Sequence, residues 1–416
     1  MATPGDNRNR FFLPLASFLN DFGWELPVLL LPLFITNVLA AGPIAVGVVE
    51  GVADFTGTVT KIASGLLSDR TGRRKAITAS GYVLANVSRP FFFVVGSWPS
   101  VVVIRFVERV GKGLRTSARD ALLADSVAQG QMGRSFGILR AMDSFGAFGS
   151  LLLGMLVIYA VQGTAVDLRE RTFQVLVAIA TIPGVLAVVA VLLFVREVPT
   201  RTRAGLDLKA AAPLPSVFVA YTLVSALFML SNSSDAFIVL RSQSLGASTL
   251  LVVALMTGFN LVYAALSAPL GRLSDTFGKR RMIVAGWVLY ALVYLGFARA
   301  PTVLALGLLL VPYGVYYALT EGIGRALVAD LVPAGSRGAA FGWYHGSMGA
   351  TALAASLIAG GLYAVSPALP FYFGAGVAAL AAASLAVIRL PRPRRPGAAP
   401  GTEDLRAADA AAADAD

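Results

Sequence analysis

Six charged side chains crowd the short stretch 105–119 of an otherwise apolar segment: Arg105, Glu108, Arg109, Lys112, Arg115 and Arg119. They recur at steps of three and four residues, which places them on one face of a helix. Each charge at the centre of an apolar span costs about 2.5–3.5 kcal/mol unless it is paired or hydrated. The stripe must therefore face water, partners or both. Two chemistries fit: a cavity wall with a positive bias that holds an anionic group or balances buried carboxylates, or a set of internal ion pairs, such as Glu108 with Arg105 or Lys112, that hold helices together. The residues alone leave both open.

A second group of charges could carry protons. Asp21 and Glu25 lie one helical turn apart, and Asp235 stands at a comparable place in the second half of the chain. A carboxylate that alternates between wet and dry surroundings can load and release a proton. Glu25 is the first candidate, followed by Asp21, Asp235 and the stripe's own Glu108; the competing reading for each is a fixed partner of an arginine such as Arg109. Glu50, Asp54 and Lys61 share a face of another helix, and Glu321 with Arg325, four residues apart, forms an expected salt bridge. The chain has no cysteine and one histidine, His345. Disulfides, thiolate metal sites and imidazole clusters are thereby excluded, no cofactor is implied, and no motif supports enzyme chemistry.

These charges need membrane helices to position them. With 56% hydrophobic and 14% charged residues among 416, bilayer-embedded helices are the available explanation. The net charge of +11 clusters in short links between apolar runs, as the positive-inside rule requires, and speaks against nucleic acid. Taking about 20 apolar residues per span, helices fall near 11–39, 45–68, 76–96, 99–122, 135–161 and 172–195. A second six fall near 215–241, 247–270, 282–299, 302–326, 338–363 and 367–389. The first run contains Asp21 and Glu25 and is too long for a signal peptide. Basic residues gather in the links after helices two, six, eight and twelve, so both termini are expected in the cytoplasm. The expected organisation is a short N-terminus (1–10), a six-helix bundle (11–195), a cytoplasmic linker (196–214), a second bundle (215–390) and a disordered tail (391–416).

One stretch is written twice. Gly65-Leu66-Leu67-Ser68-Asp69-Arg70-Thr71-Gly72-Arg73-Arg74-Lys75 is echoed by Gly271-Arg272-Leu273-Ser274-Asp275-Thr276-Phe277-Gly278-Lys279-Arg280-Arg281. Ala121 to Asp125 likewise match Ala326 to Asp330, at nearly the same offset. A duplicated six-helix unit follows.

The loop pattern, its weaker second copy and the two sets of six resemble the major facilitator superfamily (MFS), over essentially 11–390. Within it, the fourth helix resembles a poorly characterised bacterial group that reads Arg-Val-Gly-Lys-Gly-x-Arg-Thr, here from Arg109. The superfamily's usual fourth helix has Gln and Gly three and four residues after its arginine, where this chain has Glu108 and Arg109. Its exporters often carry a Gly-Pro pair in helix five; this chain has Gly146, Gly149 and Gly154 there and no proline.

The resemblance implies an all-α polytopic membrane protein of twelve transmembrane helices in two pseudo-repeats, with helices one, four, seven and ten lining a central cavity. It places Arg105, Arg109, Lys112, Glu321, Tyr317 and Trp24 as candidate cavity residues. It also implies that the loop Asp and the Arg four residues later lock neighbouring helix ends: Asp69 and Arg73 with Asp125, and Asp275 and Lys279 with Asp330. Arg140 maps by the repeat offset onto His345; with Asp143 they are expected at contacts between the halves. The expected function is secondary active transport of a small organic solute by alternating access, as proton-coupled export of a drug or metabolite. Proton-linked uptake of an organic anion is the alternative, and a non-transporting sensor or assembly factor the alternative of another class. The implied partners are a solute, protons and the lipid bilayer of the cytoplasmic (inner) membrane, with the chain acting as a monomer.

Overall fold

A computed structural model describes residues 7–127, 132–198, 214–232, 234–332 and 337–388. The expected tail and all but the ends of the expected linker lie outside them. Twelve helical units follow in order. They are α1 (Asn7–Leu33, ending in a π turn over Phe34–Val38), α2 (Pro43–Thr71), α3 (Arg74–Ser88, continued as a 3-10 turn over Arg89–Val94) and α4 (Trp98–Asp125). Next come α5 (Met132–Gln162), α6 (Glu170–Val189, with a π turn over Ala190–Phe194), and α7 in two pieces, α7a (Ser216–Ser231) and α7b (Ala236–Ser244). Last are α8 (Thr249–Phe277), α9 (Lys279–Arg299), α10 (Val303–Leu331), α11 (Arg337–Val365) and α12 (Leu369–Val387).

Among the described residues nine helices are long and apolar enough to cross a membrane; α2, α3 and α4 are not among them. Charge explains two of them, since α2 carries Glu50, Asp54 and Lys61 and α4 carries the stripe; α3 runs only 15 residues before its 3-10 turn. Leu156, Leu193, Leu223, Leu304 and Leu308 point outward, each more than 60% exposed, as surfaces that meet lipid rather than water require.

Two breaks depart from the sequence reading, which runs α3 and α7 through unbroken. Pro90 lacks an N–H and clashes with the preceding turn, so α3 tightens to a 3-10 helix at Arg89. At α7 the polar residues Asn232, Ser234 and Asp235 compete for backbone hydrogen bonds. Asn232 leaves helical geometry at φ −90°, ψ 77°, and Asp235 starts α7b, its carbonyl accepting from the Val239 amide at 3.1 Å.

The packing repeats across the two halves. The first helix of each half (α1, α7a) lies on its fifth and sixth, and the fourth (α4, α10) on its second and third. Gly81 and Gly111 fix one such contact: a Cβ on either would strike the backbone of the facing helix, so α3 and α4 meet backbone to backbone. Between the halves, α2 packs along α11 and α5 against α8. The hydrogen bonds joining the described residues of the two halves lie at the end opposite the basic loops: Thr249 Oγ1 donates to the Val166 carbonyl at 3.0 Å, and Gln243 Nε2 donates to the same carbonyl at 3.1 Å.

Candidate functional site

The α4 stripe is sewn to its neighbours. Arg105, 1% exposed, donates to Glu108 at 2.8 Å and stands 3.7 Å from Glu50 of α2. Arg109 lies 3.8 Å from both Asp54 and Glu108. Arg115 faces Asp21 of α1 at 3.5 Å, while Arg119 pairs with Asp120 at 2.9 Å and Asp143 of α5 at 3.8 Å. Arg119 also bonds the Ser17 hydroxyl. Much of the stripe is therefore ion-paired, by carboxylates that α1, α2, α4 itself and α5 bring to it. Lys112 is the exception on α4, with no ion pair among the described residues.

A buried arginine that the sequence reading missed completes the cluster. Arg89 of α3 donates to Asn20 at 3.0 Å and Asn86 at 2.6 Å, and its guanidinium lies 4.6 Å from the Trp24 ring centroid. The available signal was its place before Pro90, where the helix tightens and turns inward.

Two cavities border this cluster. A small one, about 30 Å³, is lined by Asp21, Trp24, Glu25, Arg105, Lys112 and Arg115, among others. A large one, about 440 Å³, lies between the halves. Its charged walls come from Asp54 and Lys61 of α2, Arg109 and Lys112 of α4, Glu321 of α10 and His345 of α11. Glu25 is exposed and, unlike Asp21, Glu50, Asp54 and Glu108, makes no ion pair among the described residues.

The second half is aromatic where the first is charged. Asp235, at the α7 break, accepts from the Tyr313 hydroxyl at 2.7 Å and the Tyr317 hydroxyl at 3.4 Å. Tyr290 and Tyr294 stack at 4.0 Å behind them, and the Tyr290 hydroxyl donates to the Ser231 carbonyl at 2.8 Å, holding the last turn of α7a. Glu321 pairs with Arg325 at 2.8 Å and accepts from the Tyr263 hydroxyl.

The other sequence-named residues separate. Asp143 meets Arg119 inside its own half rather than the other bundle, Arg140 is exposed, and His345 borders the cavity between the halves. At the loops, Lys279 meets Asp330 at 2.6 Å. In the first half it is Arg74, one residue after Arg73, that pairs with Asp125; Arg73 is exposed. The side chains of Asp69 and Asp275 lie outside the described residues.

Comparison with known proteins agrees with this geometry. The chain is 33% identical over 380 residues to the uncharacterized MFS-type transporter MJ1317 of Methanocaldococcus jannaschii, covering 89% of this chain and 92% of that one. It is 26% identical over 316 residues to the multidrug resistance protein MdtG of a Rahnella species, covering 73% and 74%. A crystal structure of the nucleoside transporter NupG superposes with a TM-score of 0.77 at 12% identity, covering 91% of this chain and 99% of that one. The family model named Major Facilitator Superfamily matches residues 13–240 and 217–412. Two six-helix repeats around a charged central cavity, matched along both halves, make this chain a transporter of the Major Facilitator Superfamily.

Proposed function

We propose that the chain moves a small organic solute across the cytoplasmic membrane in exchange for, or together with, protons. The two bundles rock about the cavity between them, both termini lying in the cytoplasm. One observation carries the proton: Glu25 borders the cavity system with no ion pair among the described residues, whereas Asp21, Glu50, Asp54 and Glu108 each stand within 4 Å of an arginine. Protonating Asp21 leaves Arg115 without an ion-pair partner among the described residues, and protonating Glu50, Asp54 or Glu108 takes one of two partners from Arg105 or Arg109. Protonating Glu25 breaks no ion pair among the described residues. Asp235 is the second candidate, since its recorded partners are neutral hydroxyls.

Export in exchange for protons is the direction favoured by the similarity to MdtG, a multidrug resistance protein by name. Proton-linked uptake of an organic anion is the second reading, favoured by the cationic groups of α2 and α4 in the larger cavity. Lys279 with Asp330, and Arg74 with Asp125, tie helix ends within each half at the cytoplasmic face and steady the loops as the bundles rock.

The test is solute-driven proton movement in proteoliposomes with an internal pH-sensitive dye, for the wild type and Glu25→Gln. Cationic drugs and organic anions are supplied separately. A responding solute whose proton signal vanishes in the variant supports the reading; solute flux without protons sinks it.

A further inference from the structure

Lys112 borders both cavities. It lines the small one with Glu25 and the large one with Lys61. Among the described residues none of these three side chains makes an ion pair. The other charges facing Lys112 are committed: Asp21 on α1 to Arg115, Asp54 on α2 to Arg109, and Glu108 on α4 to Arg105. Arg89 on α3 is held by the amides of Asn20 and Asn86, and Glu321 on α10 by Arg325. His345 on α11 is the remaining titratable group on the wall. Two ammonium groups thus border a space of about 440 Å³ with no ion pair among the described residues, and of the three carboxylates lining the smaller cavity beside Lys112 only Glu25 is not ion-paired.

We propose that Lys61 and Lys112 bind an anionic group of the solute, a carboxylate or a phosphate, and that Lys112 exchanges Glu25 for that group. This rests on the second reading above, proton-linked uptake of an organic anion. An isolated charge in a low-dielectric interior is costly, so the favoured states are those in which Lys112 has one counter-ion. Without solute, ionised Glu25 serves. With the anion bound, a second negative charge beside Lys112 is disfavoured and Glu25 takes a proton from water on the loading side. It returns that proton to water on the other side, and no covalent bond changes beyond this transfer. Anion and proton therefore bind together and travel in the same direction, which selects uptake over export wherever the proton gradient points inward.

The experiment uses the full chain in two preparations. In detergent, its thermal stability is measured against pH with succinate, glucose 6-phosphate, uridine or ethidium. In proteoliposomes, proton movement is measured with the same four probes. The expected result is stabilisation by an anion that weakens as pH rises, with protons entering alongside that anion. Lys112→Gln weakens the anion effect at least tenfold and Lys61→Gln severalfold, while Lys112→Arg retains it. Glu25→Gln binds the anion with a weaker pH dependence than the wild type and moves no protons. Should Lys112→Gln fail to fold, Lys61→Gln and Lys112→Arg carry the comparison. Proton movement with uridine or ethidium but neither anion leaves the transport reading standing and overturns this proposal. Anion flux without protons overturns the exchange at Glu25, and the absence of any anion effect overturns the site.

Discussion

Arg105 and Glu108, one turn apart on α4, are joined at 2.8 Å with side chains only 1% and 3% exposed. Removing one partner of a buried pair leaves the other charged and dry, at a cost of about 3–5 kcal/mol. Glu108→Gln is expected near the low end of that range, because Arg105 keeps Glu50 at 3.7 Å. Thermal unfolding in detergent checks this; a variant as stable as the wild type shows the pair to be dispensable.

Tyr313 donates to Asp235 at 2.7 Å across the α7 break. Tyr313→Phe keeps the ring in its aromatic cluster and deletes the bond, for a loss of about 1–2 kcal/mol. If Asp235 takes part in proton movement, the pH profile of transport shifts in this variant, whereas a purely structural bond changes stability alone. Transport rate against pH, with thermal unfolding in parallel, separates the two.

Gly111 faces Ala85 with no room for a Cβ, and Gly81 faces Arg115 in the same way. Gly111→Val is expected to force α3 off α4, and so to move Arg89 and Arg115 away from their partners. Little monodisperse protein should be recovered. Normal yield with normal transport means that α3 and α4 can part without consequence.

Lys279 and Asp330 meet at 2.6 Å with side chains 23% and 37% exposed. A pair this open contributes about 1 kcal/mol or less to stability. Asp330→Asn is therefore expected to melt close to the wild type while changing the rate of transport, since the proposed rocking of the bundles moves these helix ends. A melting temperature far below the wild type, with normal turnover of the surviving protein, reverses that assignment.

Much of the fold was legible because the bilayer imposes a coarse code. Apolar run length gave the helices and the basic links gave their alternation. The duplicated loop gave the two halves. Less legible were the local breaks. Pro90 and the run from Asn232 to Asp235 were visible, but whether a polar run breaks a helix or bends it depends on tyrosines such as Tyr290, far away in sequence, that bond the freed carbonyls. The stripe on α4 was found from spacing, yet the choice between a cationic wall and a paired network was not. That choice turns on which carboxylates α1, α2 and α5 deliver to it. Asp21, Glu50, Asp54 and Asp143 reach arginines, while Lys112 and Lys61 are left facing the cavity. Arg74 in place of Arg73 at Asp125 has a local cause: Arg73 stands before the helix at φ −95°, ψ 60°, and Arg74 is the first helical residue of α3, so where the helix starts decides which residue points at its neighbour.

The most direct test of the central claim is uphill movement of a labelled solute driven by a pH gradient alone, at zero membrane potential, in proteoliposomes of wild type and Glu25→Gln. Proton coupling through Glu25 predicts movement against the solute's own gradient in the wild type. In the variant it predicts equilibration and no more, with solute exchange between the two sides intact. Equal uphill movement in both proteins, or none in either while exchange proceeds, would contradict it.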